Sequence, residues 1–283
     1  MQKFLEEAKK TSRTIANLDT HTKNKVLRQM ADALIAHTDY ILEHNNKDMS
    51  EGTLNNLSNA LLDRLLLTKQ RIEDMSTAIK QIADQKEPVG KTLEGWITED
   101  GLNIQKISVP IGVIGIIYES RPNVTSDTAA LCFKSGNVCV LKGGKEAERS
   151  NQAIANVLKQ VLADNKLPEQ AISLLPDSTR EGVAKLIKED KYVDLIVPRG
   201  GEALIRYVSE NSSVPVIKHD KGLCHIFVDK DAAHNRIIDI AINAKCQRPG
   251  VCNSMETLLI HEEIAAYILP GLYDAFMEEE TVL

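Results

Sequence analysis

The chain has 283 residues, 43% hydrophobic and 26% charged, which fits one large or two ordinary globular domains and excludes a disordered or collagen-like protein. Its 34 basic and 40 acidic residues give a formal net charge of −6, which argues against nucleic acid as a bulk electrostatic partner. Five cysteines without CxxC spacing argue against a disulfide framework or a structural zinc, so we expect no metal and a reducing compartment.

The N-terminal third of the sequence has a helical texture. From residue 3 to about 85, apolar residues recur at helical spacing, which predicts three or four helices. Residues 89–109 change to short alternating segments, which predict a hairpin or two edge strands.

The first ten residues mix both charges and do not resemble a secretory signal. The longest nearly apolar run, 109–118, is far shorter than the roughly 20 residues of a membrane-spanning helix. We therefore expect a cytoplasmic protein without a membrane partner.

Short β-branched runs alternate with helical stretches between residues 111 and 217. This alternation predicts an α/β fold with a mostly parallel sheet and helices on both faces. The expected strands cover 111–118, 138–141, 172–175, 193–197 and 214–217, with helices near 125–135, 147–164, 179–189 and 201–210. Such a sheet is typical of nucleotide-binding domains, whose ligands lie at the carboxyl ends of the strands.

A second cycle of strands and helices begins after about residue 222. It predicts strands over 224–228 and 257–260, a helix over 232–246 and another helix from His261. We therefore expect one domain over residues 1–221 and the start of another over residues 222–283.

Two glycine-bearing turns follow strands of the predicted parallel sheet. The first contains Lys142, Gly143, Gly144 and Lys145, and the second contains Gly200 and Gly201 after Arg199. Glycines let backbone N–H groups approach a ligand, and a helix N-terminus beside lysines favours an anion. Neither turn is a P-loop or a GxGxxG fingerprint. Together the turns predict a site for the two ends of a dinucleotide, although an ordinary polar turn explains the first one equally well.

The loop over residues 247–253 places Cys252 shortly after a Pro-Gly pair. A thiol in irregular, exposed backbone can be activated for nucleophilic attack, whereas Cys246 falls on an apolar helical face and is expected to be structural. No histidine has the spacing of a catalytic partner, so a Cys-His protease is unsupported. A thiol beside a dinucleotide-type sheet favours hydride chemistry at a thioester or thiohemiacetal. Asn123 can donate its amide N–H to an oxyanion there, although alone it would be an ordinary turn residue.

These segments together resemble the gamma-glutamyl phosphate reductase family, also called glutamate-5-semialdehyde dehydrogenase, a branch of the aldehyde dehydrogenase superfamily. The family's motifs occur in order at residues 118–125, 134–137, 141–147, 198–201 and 247–253. The resemblance implies an aldehyde dehydrogenase-like fold, with a Rossmann-type parallel-sheet cofactor domain and an α/β catalytic domain. It also implies NADPH-dependent reduction of L-glutamyl 5-phosphate to L-glutamate 5-semialdehyde and phosphate, the second step of proline biosynthesis from glutamate.

The resemblance also assigns roles to single residues. The position of Cys252 is that of the nucleophile that takes the acyl group as a thioester, and Asn123 matches the asparagine that holds the oxyanion. Lys142, Gly143 and Gly144, with the adjoining Lys145, match the turn near the adenosine ribose and its phosphate. Gly200 and Gly201 match the turn near the pyrophosphate. A homo-oligomer and a handover of substrate from glutamate 5-kinase are further expectations of the resemblance.

Two departures from the wider superfamily bear on these expectations. Residues 218–222 carry His and Asp where hydrolytic aldehyde dehydrogenases have a water-activating glutamate, which suits an enzyme that keeps its thioester for reduction. Only residues 253–283 follow Cys252, so we expect a truncated catalytic domain and little turnover by this chain alone. The rival interpretations are another acylating aldehyde dehydrogenase, a catalytically impaired fragment and a noncatalytic nucleotide-binding module.

Overall fold

The structure is a computed structural model that describes residues 1–218, 222–247, 249, 251 and 253–281. The chain divides into two compact units, Met1–Lys218 and His219–Leu283, and each is described by itself. Within the described ranges, no helix is both long enough and apolar enough to cross a membrane.

Five helices precede the sheet of the first unit, so the expectation of three or four was wrong. They are α1 (Gln2–Ala16), α2 (Thr20–Ala36), α3 (Thr38–Leu54), α4 (Asn59–Leu65) and α5 (Lys69–Asp84). Only His37 separates α2 from α3, and neither Gly nor Pro marks that break. The seven-residue α4 is short, but Ser58 caps its first turn by accepting a hydrogen bond from the backbone of Leu61.

A hairpin follows the helices, which confirms the expected change of texture. Its strands are β1 (Thr92–Ile97) and β2 (Asn103–Ile107), which pair antiparallel. Every residue of both strands is exposed.

The first unit contains a four-stranded parallel sheet, which confirms the α/β prediction. The strands are β3 (Val113–Tyr118), β4 (Val138–Lys142), β5 (Ile172–Leu174) and β6 (Leu195–Arg199). The intervening and following helices are α6 (Asn123–Lys134), α7 (Glu148–Asp164), α8 (Arg180–Leu186) and α9 (Glu202–Asn211). The spatial order is β5-β4-β3-β6, so the chain changes direction across the sheet between the neighbouring strands β3 and β6. Ligands of parallel α/β sheets bind at the carboxyl ends of such neighbouring strands.

The predicted strand over residues 214–217 is wrong in extent. This segment forms only one isolated bridge, between Val216 and Ile196. The carbonyl of Pro215 accepts a hydrogen bond of 2.8 Å from the backbone N–H of Ile196. Pro215 has no N–H to extend the ladder on one side of this bridge, and Pro198 of β6 has none to extend it on the other, so the ladder does not continue.

A buried lysine anchors the C-terminal end of α6. Lys134 is 2% exposed, and its ammonium donates to Asn24 Oδ1 at 2.5 Å and to the carbonyl of Ala83 at 3.0 Å. Burial lowers the pKa of Lys134, since desolvation disfavours the charged form. The end of α6 is thus tied to α2 and to α5 by polar contacts.

The second unit contains the strand and helix cycle that the sequence predicted. Its elements are β7 (His225–Val228), α10 (His234–Cys246), β8 (Thr257–Ile260) and α11 (Glu262–Glu278), and the two strands pair parallel. A small apolar core lies within it, formed by Val228, Ile237, Ala241, Met255, Ile264, Ile268, Leu272 and Phe276. Cys246 is half-buried and packs against this core, with its Sγ 3.4 Å from Thr281 Oγ1. These contacts support a structural role for Cys246.

Candidate active site

Three loops meet at the carboxyl edge of the first unit's sheet. Residues 119–122 connect β3 to α6, residues 143–147 connect β4 to α7, and residues 200–201 connect β6 to α9. Every candidate residue of the first unit lies at this edge: Asn123, Lys142, Gly143, Gly144, Lys145, Gly200 and Gly201. The structure therefore brings together two glycine turns and an asparagine that lie far apart in sequence.

The two lysines of the first turn have different surroundings. Lys142 ends β4 and is half-buried. Burial lowers the pKa of Lys142, while the nearby carboxylates of Glu146 and Glu148 act in the opposite direction. Lys145 is exposed, and its ammonium makes no hydrogen bond or ion pair with any residue that the structure describes. Lys145 is therefore the more accessible of the two cations to an external anion.

Glu146 links the first turn to the loop that follows β3. Its Oε1 accepts a hydrogen bond of 3.0 Å from the backbone N–H of Ser120, and it also accepts one from the Ser120 hydroxyl. Burial acts to raise the pKa of Glu146, but hydrogen bonds from Ser120 and from the Glu146 backbone, together with the nearby Lys142, more than offset this effect, so the pKa is lowered. A charged, half-buried Glu146 thus fixes the backbone at Ser120. Sequence reasoning missed this role, because the contact spans 26 residues and has no local signal.

The second turn contacts Glu119, another residue that sequence reasoning missed. Gly201 precedes α9 directly, and its backbone N–H donates to Glu119 Oε2 at 3.1 Å. A Cβ at Gly200 would lie 2.7 Å from Glu119 Cδ and 2.9 Å from Leu204 Cδ2. Glycine at position 200 therefore permits this close approach between the turn and the carboxylate.

Asn123 is the first residue of α6, and its side chain is exposed. Its Nδ2 donates to Asp127 Oδ2, one helical turn later, at 3.0 Å. Because an amide nitrogen carries two N–H donors, the second one remains available to an external acceptor. The other oxygen of Asp127 is buried without a hydrogen-bond partner among the described residues. Burial raises the pKa of Asp127.

We expect Asp127→Asn to stabilise the protein at pH 7, because it removes the charge of a carboxylate that is buried with one oxygen unpaired, a cost of roughly 1–3 kcal/mol. The raised pKa means that the ionised carboxylate destabilises the folded state above that pKa, and that this effect vanishes below the ordinary value of 3.8. The gain in melting temperature, roughly 2–4 °C per kcal/mol, is therefore expected to shrink as the pH falls toward 4.

The chain offers a matched control for this measurement. Asp74 on α5 is exposed and accepts a hydrogen bond of 3.1 Å from the amide of Gln70, also one turn earlier. Asp74→Asn is expected to leave the melting temperature nearly unchanged, since an exposed carboxylate keeps its hydration. A gain for Asp127→Asn that is equal at pH 7 and pH 4 would contradict the assignment.

The predicted nucleophile, Cys252, lies outside the described residues, as do His219 and Asp220 of the segment 218–222. Two of the other cysteines are buried, Cys132 in α6 and Cys139 in β4. The hydrogen bond with Cys132 and burial raise the pKa of Cys139 well above its ordinary value. The thiol of Cys139 therefore stays protonated, which supports its structural assignment.

Metal ligands require several donor side chains at one place. In the part of the chain that the structure describes, no group of three or more His, Cys, Asp or Glu side chains is arranged to hold a metal ion. The described residues of the site present backbone N–H donors, lysine ammonium groups and an amide.

Comparison with known proteins places the whole chain in one family. A model described as "Aldehyde dehydrogenase family" matches residues 1–280. The chain is 71% identical over 283 residues to the gamma-glutamyl phosphate reductase of Aliarcobacter butzleri, and 64% identical to that of a Sulfurovum species. Both matches cover 100% of this chain and 69% of the relative.

Solved structures give the same result. The crystal structure of gamma-glutamyl phosphate reductase from Thermotoga maritima matches with a TM-score of 0.91 at 38% identity, over 99% of this chain and 67% of that chain. The corresponding enzyme from Saccharomyces cerevisiae matches with a TM-score of 0.71 at 33% identity, over 96% of this chain and 69% of that chain. An acetylating aldehyde dehydrogenase from Geobacillus thermoglucosidasius shares the fold at 18% identity, with a TM-score of 0.69 over 96% of this chain and 57% of that chain.

Proposed function

The chain belongs to the aldehyde dehydrogenase family and, within it, to the gamma-glutamyl phosphate reductases, and from this premise we propose that it reduces L-glutamyl 5-phosphate with NADPH. The products are L-glutamate 5-semialdehyde and inorganic phosphate. The observation that carries the proposal is the meeting of both glycine turns and Asn123 at one sheet edge, in a chain 71% identical to such a reductase.

The residues at this edge fit an anionic dinucleotide. Gly201 presents its backbone N–H at the start of α9, where a helix favours negative charge, and Gly200 leaves room for close approach. We assign Gly200 and Gly201 to the pyrophosphate, and Lys142, Gly143, Gly144 and Lys145 to the adenosine ribose with its 2′-phosphate. When bound, the reduced nicotinamide supplies a hydride to the acyl carbon.

Cys252 and Asn123 divide the acyl chemistry in this proposal. The Cys252 thiolate attacks the acyl carbon, a C–S bond forms, and the C–O bond to phosphate breaks with release of inorganic phosphate. Asn123 donates its second amide N–H to the oxyanion that forms on attack and again on reduction. Collapse of the reduced adduct breaks the C–S bond, releases the semialdehyde and restores the thiolate.

The biological setting follows from the same proposal. We place the reaction as the second step of proline biosynthesis, in the cytoplasm, with L-glutamyl 5-phosphate handed over by glutamate 5-kinase. A homo-oligomeric assembly belongs to the same proposal, as it does to the family resemblance.

The test is NADP-linked oxidation of L-glutamate 5-semialdehyde in the presence of phosphate. Because the chain spans 69% of its Aliarcobacter butzleri relative, a chimera that adds the remaining residues of that relative is assayed in parallel. Preference for propionaldehyde with coenzyme A would favour another acylating aldehyde dehydrogenase. Binding of NADPH without turnover by either protein would favour a noncatalytic nucleotide-binding module.

We expect Lys145→Ala and Lys142→Ala to weaken the binding of NADPH more than the binding of NADH. A charge-assisted hydrogen bond to the 2′-phosphate contributes on the order of 1.5–3 kcal/mol before desolvation, which is about tenfold or more in affinity. The larger loss is expected for Lys145, because Lys142 is half-buried beside carboxylates. Fluorescence titration with both dinucleotides measures the ratio of the two dissociation constants.

Lys188→Ala is the matched control. It removes the same charge from an exposed residue that precedes β6, whereas both glycine turns follow the carboxyl ends of their strands. Its ratio of NADPH to NADH affinity is expected to equal that of the wild type. If both turn variants weaken NADPH and NADH by one common factor, these lysines do not read the 2′-phosphate.

A further inference from the structure

We propose that the Glu119 carboxylate competes with the dinucleotide pyrophosphate for the N-terminus of α9, so that Glu119 sets cofactor affinity by being displaced. This inference rests on the proposed function, because it takes the turn at Gly200 and Gly201 as the pyrophosphate site. It concerns a residue that the family resemblance did not single out.

The first support is the place of the contact in the sheet. Glu119 follows β3 directly, and Gly201 follows β6, its neighbour on the side where the chain changes direction across the sheet. The hydrogen bond of 3.1 Å from Gly201 N–H to Glu119 Oε2 therefore spans the crevice in which parallel α/β sheets bind their ligands. A carboxylate of the chain itself thus lies where an anionic ligand group is expected.

The second support is electrostatic. The exposed N–H groups at the start of a helix favour one negative group, and carboxylate and phosphate both satisfy them. Two anions at hydrogen-bond distance from the same N–H would repel each other strongly. Occupation by Glu119 and occupation by pyrophosphate are therefore mutually exclusive.

The third support is that the Glu119 side chain can move away from Gly201, whereas the adjacent Ser120 is held in place. Its side chain is exposed, and Gly201 is the only described residue that hydrogen-bonds to its carboxylate. The next residue, Ser120, is 5% exposed and is fixed by Glu146 through its backbone N–H and hydroxyl. A rotamer change of Glu119 alone therefore clears the helix N-terminus without moving the loop that leads to Asn123.

The experiment measures the binding of NADPH and of inorganic pyrophosphate to the whole chain and to two variants, Glu119→Gln and Glu119→Ala. Nicotinamide fluorescence reports the first ligand, and isothermal titration calorimetry reports the second. Removal of the competing charge is expected to raise the affinity for both ligands by about tenfold, since charged hydrogen bonds and like-charge contacts have effects of this order.

Glu202→Gln is the matched control. Glu202 is an exposed carboxylate in the first turn of the same helix, but it pairs with Arg206 at 2.7 Å. Its removal changes the net charge near α9 by the same amount without freeing the Gly201 N–H. We expect its affinities to stay close to those of the wild type.

The possible outcomes separate this inference from the proposed function. Weaker binding in both Glu119 variants would overturn the inference and make Glu119 a direct ligand of the dinucleotide. Unchanged binding in folded variants would also overturn it, while leaving the cofactor site in place. Failure of the folded wild type and both variants to bind either ligand would refute the proposed cofactor site, and the inference with it.

Discussion

Replacement of Cys252 by alanine or serine is expected to lower NADP-linked turnover of glutamate 5-semialdehyde by about 10⁴-fold or more, as removal of a catalytic nucleophile generally does. Hydride transfer to a thioester, or in reverse from a thiohemiacetal, requires an adduct that a thiolate forms, and a serine hydroxyl is far less nucleophilic at neutral pH. Affinity for NADPH is expected to be retained, because both glycine turns belong to the first unit. Turnover is measured in the chain and in the chimera, and binding is measured by fluorescence.

A second cysteine provides the comparison. Cys246 is half-buried against the core of the second unit, and Cys246→Ala removes a thiol without removing the proposed nucleophile. It is expected to retain most turnover with some loss of stability. Incubation with acyl phosphate followed by mass spectrometry adds a direct readout, since only proteins that keep Cys252 are expected to gain an acyl group. Equal loss of turnover in the two folded variants would contradict the assignment.

Asn123→Ala is expected to lower kcat by about 10²–10³-fold, the usual effect of removing one oxyanion donor. One amide N–H is already fixed on Asp127 at 3.0 Å, which orients the other donor before substrate binds. Because this interaction strengthens as negative charge develops on oxygen, the loss is expected in kcat rather than in KM.

Gln70→Ala is the matched control for Asn123→Ala, since Gln70 donates to Asp74 over the same four-residue spacing on α5. It is expected to keep the wild-type kcat. A variant at Asn123 with unchanged kcat and a raised KM would show that the amide binds substrate rather than the oxyanion. Dissociation constants for NADPH, measured on the same samples, check that the cofactor turns are intact.

The sequence was sufficient to predict those parts of the fold in which the hydrophobic periodicity and the turn residues indicate the same element. The β-branched runs at β3 and β4 are buried throughout or nearly so, and the glycines after β4 and β6 lie where the strands end. The break at His37 was invisible because its residue type is compatible with a continuing helix. The segment after α9 has the composition of a strand, but Pro215 limits its hydrogen bonding to β6. How far a proline limits pairing depends on which strand edge the segment meets in the folded sheet.

The candidate site likewise contains residues that short sequence segments predict and residues that only long-range contacts reveal. Asn123 and the two glycine turns are recognisable from short segments and lie at the expected edge. Glu119 and Glu146 are not recognisable in that way, because an acidic residue beside a proposed anion site contradicts simple charge matching. Their contacts join residues 82 and 26 positions apart, so only the folded sheet reveals them.

The buried Lys134 has a consequence for the motion of Asn123, which lies at the other end of α6. The twelve residues of α6 form a stiff rod roughly 18 Å long, clamped at its C-terminus by contacts to Asn24 and Ala83. We therefore expect amide protons near Lys134 to exchange with solvent only through extensive unfolding. Asn123 is held at the other end by its side-chain contact with Asp127 and by the Ser126 hydroxyl, which donates to the Asn123 carbonyl at 2.9 Å. Both ends of α6 are therefore fixed, and the proposed oxyanion donor is expected to move with the helix as one body.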